Sequence, residues 1–221
     1  MINNKLLQNW QNAIAALPYR QPLAVLLRHA ERQAILPGTV GNDVNLTPQG
    51  VDDCQLIAEL YKDRNSQFFS SPVRRCIQTA EHLQYNPNKD NIKTTPLLGG
   101  PGVFIQCSEK AQHYILENSA ITVVDMLLSS EQNLPGFCDD TRDAINRLLA
   151  FIMTKSYSKE LSFFITHDII LAVLLGYLFP KINLDVLWPN YLDCLFIWKM
   201  GDSLMANYRN DCKLIAWPMP C

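Results

Sequence analysis

The chain has 221 residues, 48% of them hydrophobic and 18% charged, with a formal net charge of −2. That length suits one domain, residues 1–221, with a full core. The balance of charge excludes a global field for nucleic acid and leaves any anionic ligand to a local cluster of arginines. The seven cysteines (Cys54, Cys76, Cys107, Cys138, Cys194, Cys212 and Cys221) contain no CxxC pair and are not spaced with the four histidines as zinc ligands. Their odd number cannot close completely into intrachain disulfides, so a reducing compartment, the cytoplasm, is the simpler expectation. The segment Met1 to Trp10 is too polar for the apolar core of a signal peptide.

Apolar residues at Leu6, Leu7, Trp10, Ala13, Ile14 and Leu17 form a helical stripe that Pro18 stops. Residues 23–27 read as a buried strand, and residues 33–45, rich in Gly, Pro and Asn, as a loop over its mouth. Thr47 caps a helix with Pro48 at its first position, running to about Lys62. Residues 68–70 are a short strand, and Ser71-Pro72 starts a helix to about Leu83. Residues 86–91 are a surface turn, and 92–95 a further strand. Residues 96–106, with Gly99-Gly100-Pro101-Gly102, have no regular period and are expected near the active mouth.

Helices follow at about 109–117 and 139–153, then a strand at 161–166 and a helix at 168–178 capped by Asp168. The run from Leu161 to Phe179 mimics a membrane span, but a His-Asp pair at its centre is costly in lipid, so no span is expected. Residues 194–198 and 204–208, joined through Gly201-Asp202, read as a hairpin. Strands alternating with helices predict a three-layer α/β/α sandwich with a mostly parallel central sheet and an antiparallel addition.

Two polar groups follow separate apolar strands: Arg28-His29-Ala30-Glu31-Arg32 and His167-Asp168. In an open α/β sheet ligands bind at that edge. Two histidines, several arginines and one acid there point to chemistry on a phosphate. A neutral imidazole at His29 can attack phosphorus without a metal, and Arg28 and Arg32 offer planar donor forks to phosphate oxygens. His167 supplies a further donor, and Asp168 can protonate the leaving oxygen. Each residue alone has a bland reading. A strand-end arginine is commonly an ion-pair partner, a histidine a hydrogen-bonded structural residue, and Asp168 a helix cap. Two such groups after two separate strands make coincidence a poorer account.

These residues carry a resemblance. Arg28-His29-Ala30-Glu31-Arg32 is similar to the signature of the histidine phosphatase superfamily, which includes the phosphoglycerate mutase-like proteins and the histidine acid phosphatases, and in which the histidine becomes phosphorylated. Ser70-Ser71-Pro72-Val73-Arg74-Arg75-Cys76-Ile77-Gln78-Thr79-Ala80 resembles the family's second block, which implies Arg75, not its neighbour Arg74, as a phosphate ligand. Leu46-Thr47-Pro48-Gln49-Gly50 resembles a recurrent helix start, and His167 matches the second active-site histidine. The motifs run in the expected order from residue 23 to about residue 170.

The details are mixed. The Ser-Ser-Pro block and the short chain resemble the compact, mutase-like branch. Arg32 and the His167-Asp168 pair resemble the acid phosphatase branch, in which the aspartate is the proton donor. The compact branch carries a glutamate donor in a loop after the second block, but residues 96–102 contain no acid and Glu109 looks like a helix-start residue. Asp168 is therefore the expected donor.

The resemblance implies a phosphoglycerate mutase-like fold and phosphomonoester hydrolysis through phospho-His29. It implies no metal and no cofactor, and His167, Arg28, Arg32 and Arg75 as phosphate ligands. The expected partner is a small phosphorylated substrate, not nucleic acid. The alternatives are a phosphomutase with the same intermediate and a non-catalytic phospho-ligand binding module. Substrate choice falls to residues 33–45, 96–106 and 129–137, which have no dense Lys/Arg run and suit a modest, partly apolar leaving group. The sequence carries no signal for oligomeric state.

Overall fold

Leu23, Val25 and Leu27 of the first strand turn to one side of the sheet and Ala24 and Leu26 to the other, and both sets are buried. An uninterrupted apolar run is what a strand covered on both faces requires. The computed structural model describes residues 4–16, 21–85, 92–129, 134–209 and 211–217. Its elements are, in chain order, α1 (Asn4–Ala16), β1 (Leu23–Arg28), α2 (Pro48–Glu59), β2 (Ser66–Ser70), α3 (Arg74–Leu83), β3 (Ile92–Thr94), α4 (Ser108–Glu117), α5 (Ala120–Leu128), α6 (Thr141–Ser156), β4 (Leu161–Thr166), α7 (Asp168–Leu178), α8 (Leu184–Leu187), β5 (Cys194–Met200), β6 (Ser203–Tyr208) and β7 (Asp211–Ala216).

One sheet runs in the order β3-β2-β4-β1-β5-β6-β7. The first four strands are parallel, and β5, β6 and β7 continue the sheet antiparallel. Leu23, Val25, Leu27, Phe163 and Ile165 pack with Trp10 of α1, Ile57 of α2 and Leu83 of α3. On the opposite face Ala24, Leu26 and Phe164 pack with Val124 of α5, Leu148 and Ile152 of α6, and Leu171 and Leu175 of α7. Each fully buried side chain of this kind contributes about 1.5–3 kcal/mol relative to exposure. The expected α/β/α sandwich is the observed one.

The departures have local causes. Helix α3 begins at Arg74, not at Ser71-Pro72, with Val73 extended at its N-cap. Ser71 Oγ accepts a hydrogen bond from the Val73 N–H, which holds those residues as a turn. Asp168 is the first residue of α7 and His167 its N-cap, so the acid is not the cap itself. Helix α2 ends at Glu59, earlier than expected. Helices α5 and α8 and strand β7 add to the expected elements. Leu17, Pro18 and the expected turn at 86–91 lie outside the described residues.

The helix start at 46–50 clamps the signature segment. Thr47 N–H donates to Glu31 O (3.0 Å), its hydroxyl donates to Glu31 Oε2 (2.7 Å) and it accepts from Gly50 N–H (3.0 Å). A Cβ at Gly50 would lie 2.3 Å from Glu31 O, so this close approach needs glycine. No helix among the described residues is long and apolar enough to cross a membrane.

Candidate active site

Parallel pairing of β1 with β4 sets Arg28 opposite Thr166, and the His29 N–H donates to Thr166 O at 3.0 Å. Both polar groups therefore leave the sheet at one edge, beside the N-termini of α3 and α7, where backbone N–H groups favour an anion. The imidazole centroids of His29 and His167 are 5.5 Å apart.

Arg75 joins them. Its Nε donates to His29 Nε2 (3.0 Å), its Nη2 to His167 Nδ1 (3.2 Å) and its Nη1 to Gly41 O (2.7 Å). A guanidinium only donates, so both ring nitrogens facing it are lone pairs. His29 Nδ1 lies 2.8 Å from Ala30 O, an acceptor, and carries the proton. His167 Nε2 holds its proton toward Ser71 Oγ at 3.0 Å. Both histidines are thus neutral, with one nitrogen of each turned to a common cation.

The electrostatics agree. Burial, then the nearby His167 and Arg75, hold the His29 imidazolium well below its ordinary range. Burial, then Arg75, pushes His167 down to about 3. The unfolded chain protonates these histidines near pH 6.5 while the folded one does not, so protons favour unfolding below that pH. Stability is expected to fall as pH drops from 6.5 toward the folded-state values, by about 1 kcal/mol per histidine between pH 7 and 5.5. Urea unfolding at the two pH values measures it. An unchanged pH slope in His167→Gln would contradict this origin.

Arg28 forms an ion pair with Asp168 (Nη2 to Oδ2, 2.7 Å) and donates from Nη1 to Pro189 O (2.8 Å). Arg32 stands apart. Its Nη1 donates to Gln33 O (2.8 Å), although its charge still reaches Arg75 and His167. Of the five expected residues besides Asp168, the structure brings His29, His167, Arg28 and Arg75 together and leaves Arg32 at the margin. Arg74 points outward to Asn45 Oδ1, in keeping with Arg75 as the inward residue. The other acids considered are engaged elsewhere: Glu31 with Thr47, and Glu109 exposed on the first turn of α4.

Further residues serve the site without having been singled out in the sequence. Thr79 Oγ1 accepts from Ala30 N–H (3.0 Å) and donates to Arg75 O (2.7 Å), while Gln78 Oε1 accepts from Leu46 N–H (3.0 Å). The Gln-Thr of the second block therefore ties α3 to the signature backbone. Ser71 lies in the same block and holds His167. Tyr191, from the segment before β5, lies under the Arg28 guanidinium at 4.3 Å and 5.7 Å from the His29 ring. No motif marks it. Among the described residues no cluster of three His, Cys, Asp or Glu side chains could hold a metal ion.

No curated protein sequence matches the chain significantly. Among solved structures it is similar to the alpha-ribazole phosphatase from Shigella flexneri (14% identity, TM-score 0.56, covering 86% of this chain and 96% of that one). It is also similar to a phosphoserine phosphatase mutant from Entamoeba histolytica in complex with phosphoserine (14%, 0.53, 87% and 94%). A third is the product of an open reading frame from Mycobacterium tuberculosis (15%, 0.52, 85% and 96%). At such identities the likeness is one of fold. The sequence profile described as "Histidine phosphatase superfamily (branch 1)" matches residues 24–193, from β1 through the Tyr191 segment. The chain belongs to the histidine phosphatase superfamily, branch 1.

Proposed function

We propose that the chain hydrolyses phosphomonoesters through phospho-His29, with no metal required. The observation that carries this reading is the pair of contacts that orients His29: Nδ1–H donates to Ala30 O, which leaves the Nε2 lone pair in the pocket among Arg75 and His167. That lone pair accepts from Arg75 Nε. A phosphate dianion competes for the guanidinium, and its capture uncovers the nucleophile.

His29 Nε2 then attacks phosphorus in line while Arg28, Arg75 and His167 bind the equatorial oxygens. The anion also favours a second proton on His167, at Nδ1, which turns that lone pair into a donor. Asp168 gives its proton to the leaving oxygen, then as carboxylate takes one from the water that attacks phospho-His29 and releases phosphate. The Asp168 carboxyl is held beside the phosphoryl pocket by its contact with Arg28.

A cleft of about 560 Å³ beside the pocket supports the choice of leaving group. It is bordered by Asn42 and Asp43 of the first loop, Gly100 of the second, and Arg74, Gln78 and Glu81 of α3. Two carboxylates against one arginine suit a leaving group with few negative charges, which favours hydrolase over phosphoglycerate-type mutase. The six described cysteines are free, which supports a cytoplasmic location.

Turnover of an aryl phosphate in excess chelator tests the reading. Activity abolished by the chelator and restored by a divalent ion overturns it. Asp168→Asn is expected to lower kcat on alkyl phosphates about 10²–10³-fold, but on activated aryl phosphates, which need little protonation, by less than about tenfold. Equal losses on both classes would reduce Asp168 to a positioning role.

A further inference from the structure

The Arg28 guanidinium touches three groups. They are the Asp168 carboxylate (2.7 Å), Pro189 O (2.8 Å) and the face of the Tyr191 ring, whose centroid is 4.3 Å from Cζ. Its Nε–H is buried with no hydrogen-bond partner among the described residues. The reaction assigned above sets a conflict. Asp168 must hold a proton when the leaving oxygen departs, and a neutral carboxyl is a poor anchor for a cation. Of its anchors in the protein, Arg28 would then keep Pro189 O and the Tyr191 ring while it binds the phosphoryl group.

We propose that Tyr191 is a positioning residue for phosphoryl transfer, its ring keeping Arg28 in the pocket while Asp168 is protonated. This rests on the assignment of Asp168 as proton donor. A ring face attracts a guanidinium whatever the charge of Asp168, and Pro189 O does not titrate.

The ring's own position does not depend on Asp168. Leu192 adopts φ 60, and the turn is pinned by Trp10 Nε1 to Leu192 O (3.1 Å) and by Leu192 N to Arg28 O (3.2 Å). Arg209 clamps the same segment through Val186 O, Trp188 O and Asp193. The charged and titratable groups facing Asp168 are Arg28 from β1, Arg75 and Cys76 from α3, and the adjoining His167. Arg28 faces Asp168, Tyr191, His29, His167 and Arg75. Of the direct contacts Arg28 makes, the ion pair with Asp168 is the one that protonation of Asp168 removes.

The test uses Tyr191→Leu and Tyr191→Phe, each with and without Asp168→Asn, with p-nitrophenyl phosphate, whose leaving group needs no acid, at pH 7. The quantity read is the ratio of kcat/KM with the Tyr191 change to that without it, in each background. For Tyr191→Leu the ratio is expected near 0.1, an order-of-magnitude loss for one cation–ring contact, and it falls further in the Asp168→Asn background, where Arg28 has no carboxylate partner. For Tyr191→Phe it stays within about twofold of one in both backgrounds, because the ring face and not the hydroxyl acts. Tyr191→Met fills similar volume without a ring and replaces the leucine variant if that does not fold.

A leucine or methionine ratio that is the same with and without Asp168→Asn overturns the proposal. So does a Phe variant as impaired as Leu, which would assign the role to the hydroxyl. A wild-type enzyme that neither turns over substrate nor binds orthovanadate overturns the underlying phosphatase reading instead.

Discussion

His29→Ala is expected to lower turnover by at least about 10⁴-fold and to abolish the acid-labile, alkali-stable phosphoenzyme. The size follows from the lack of a substitute nearby. Ser71 Oγ accepts from His167 and from the Val73 N–H. Cys76 is close to His167, but burial pushes its thiol up to about 12, so its thiolate is not available at neutral pH. Without His29 the route left is direct attack by water. Arg28, Arg75 and His167 remain, so inhibition by inorganic phosphate should change by less than about tenfold while kcat collapses, a split that marks loss of a reacting group over loss of binding. Rapid mixing with radiolabelled substrate and an alkaline quench reads the intermediate. Label that persists on the variant would place the nucleophile elsewhere.

Gly99→Ala is expected to lower kcat/KM about 10²–10³-fold and to destabilise the fold by about 2–4 kcal/mol. Gly99 has φ 130 and ψ 155, a region closed to side-chain-bearing residues. A Cβ there would lie 2.2 Å from His167 Cδ2, 2.5 Å from Nε2 and 2.9 Å from Ser71 Oγ. Backbone and imidazole cannot both keep their places, and displacement of His167 takes it off Ser71 and Arg75. The loop has little freedom to yield, because Thr166 Oγ1 donates to Leu98 O at 2.7 Å. Steady-state kinetics together with urea unfolding separates the two effects. Full activity in this variant would mean that His167 is not needed where the structure holds it.

What the sequence discloses of this protein depends on whether the cause is local. Strands β1 and β4 are visible as apolar runs because they are buried on both faces. Their terminal polar groups are visible because charge at the end of such a run is unusual. Strand β7, by contrast, is an edge strand exposed at all but Ile215, so it has no alternation to detect. Helix α5, Ala-Ile-Thr-Val-Val-Asp-Met-Leu-Leu, is rich in β-branched residues that favour strands, and becomes a helix by packing Val123, Val124 and Leu127 into the core. The start of α3 is misplaced for a functional reason, since Ser71 to Val73 form the turn that hands a hydroxyl to His167.

Arg75 is identified through the resemblance, whereas its three acceptors, just after β1, just after β4 and in a loop, come together only in the fold. Arg32 is a different case. Its spacing suits a phosphate ligand, and in the structure its Nη1 donates to the neighbouring carbonyl of Gln33 at the margin of the site. Tyr191 is 162 positions from His29 with no motif around it, and is found only through the register of β1 against β5.

The pairing of β1 with β4 has a consequence for how such a scaffold can be re-purposed. The nucleophile and its partner histidine hang from backbone hydrogen bonds between two adjacent strands, not from the loops that border the cleft. Loops 33–45 and 96–106 can therefore be exchanged for others of different shape with the chemistry left in register. Two conditions restrict the graft: a carbonyl where Gly41 receives Arg75, and glycine where Gly99 passes His167. A library that holds those two positions and randomises the rest would search leaving-group preference without searching for catalysis again.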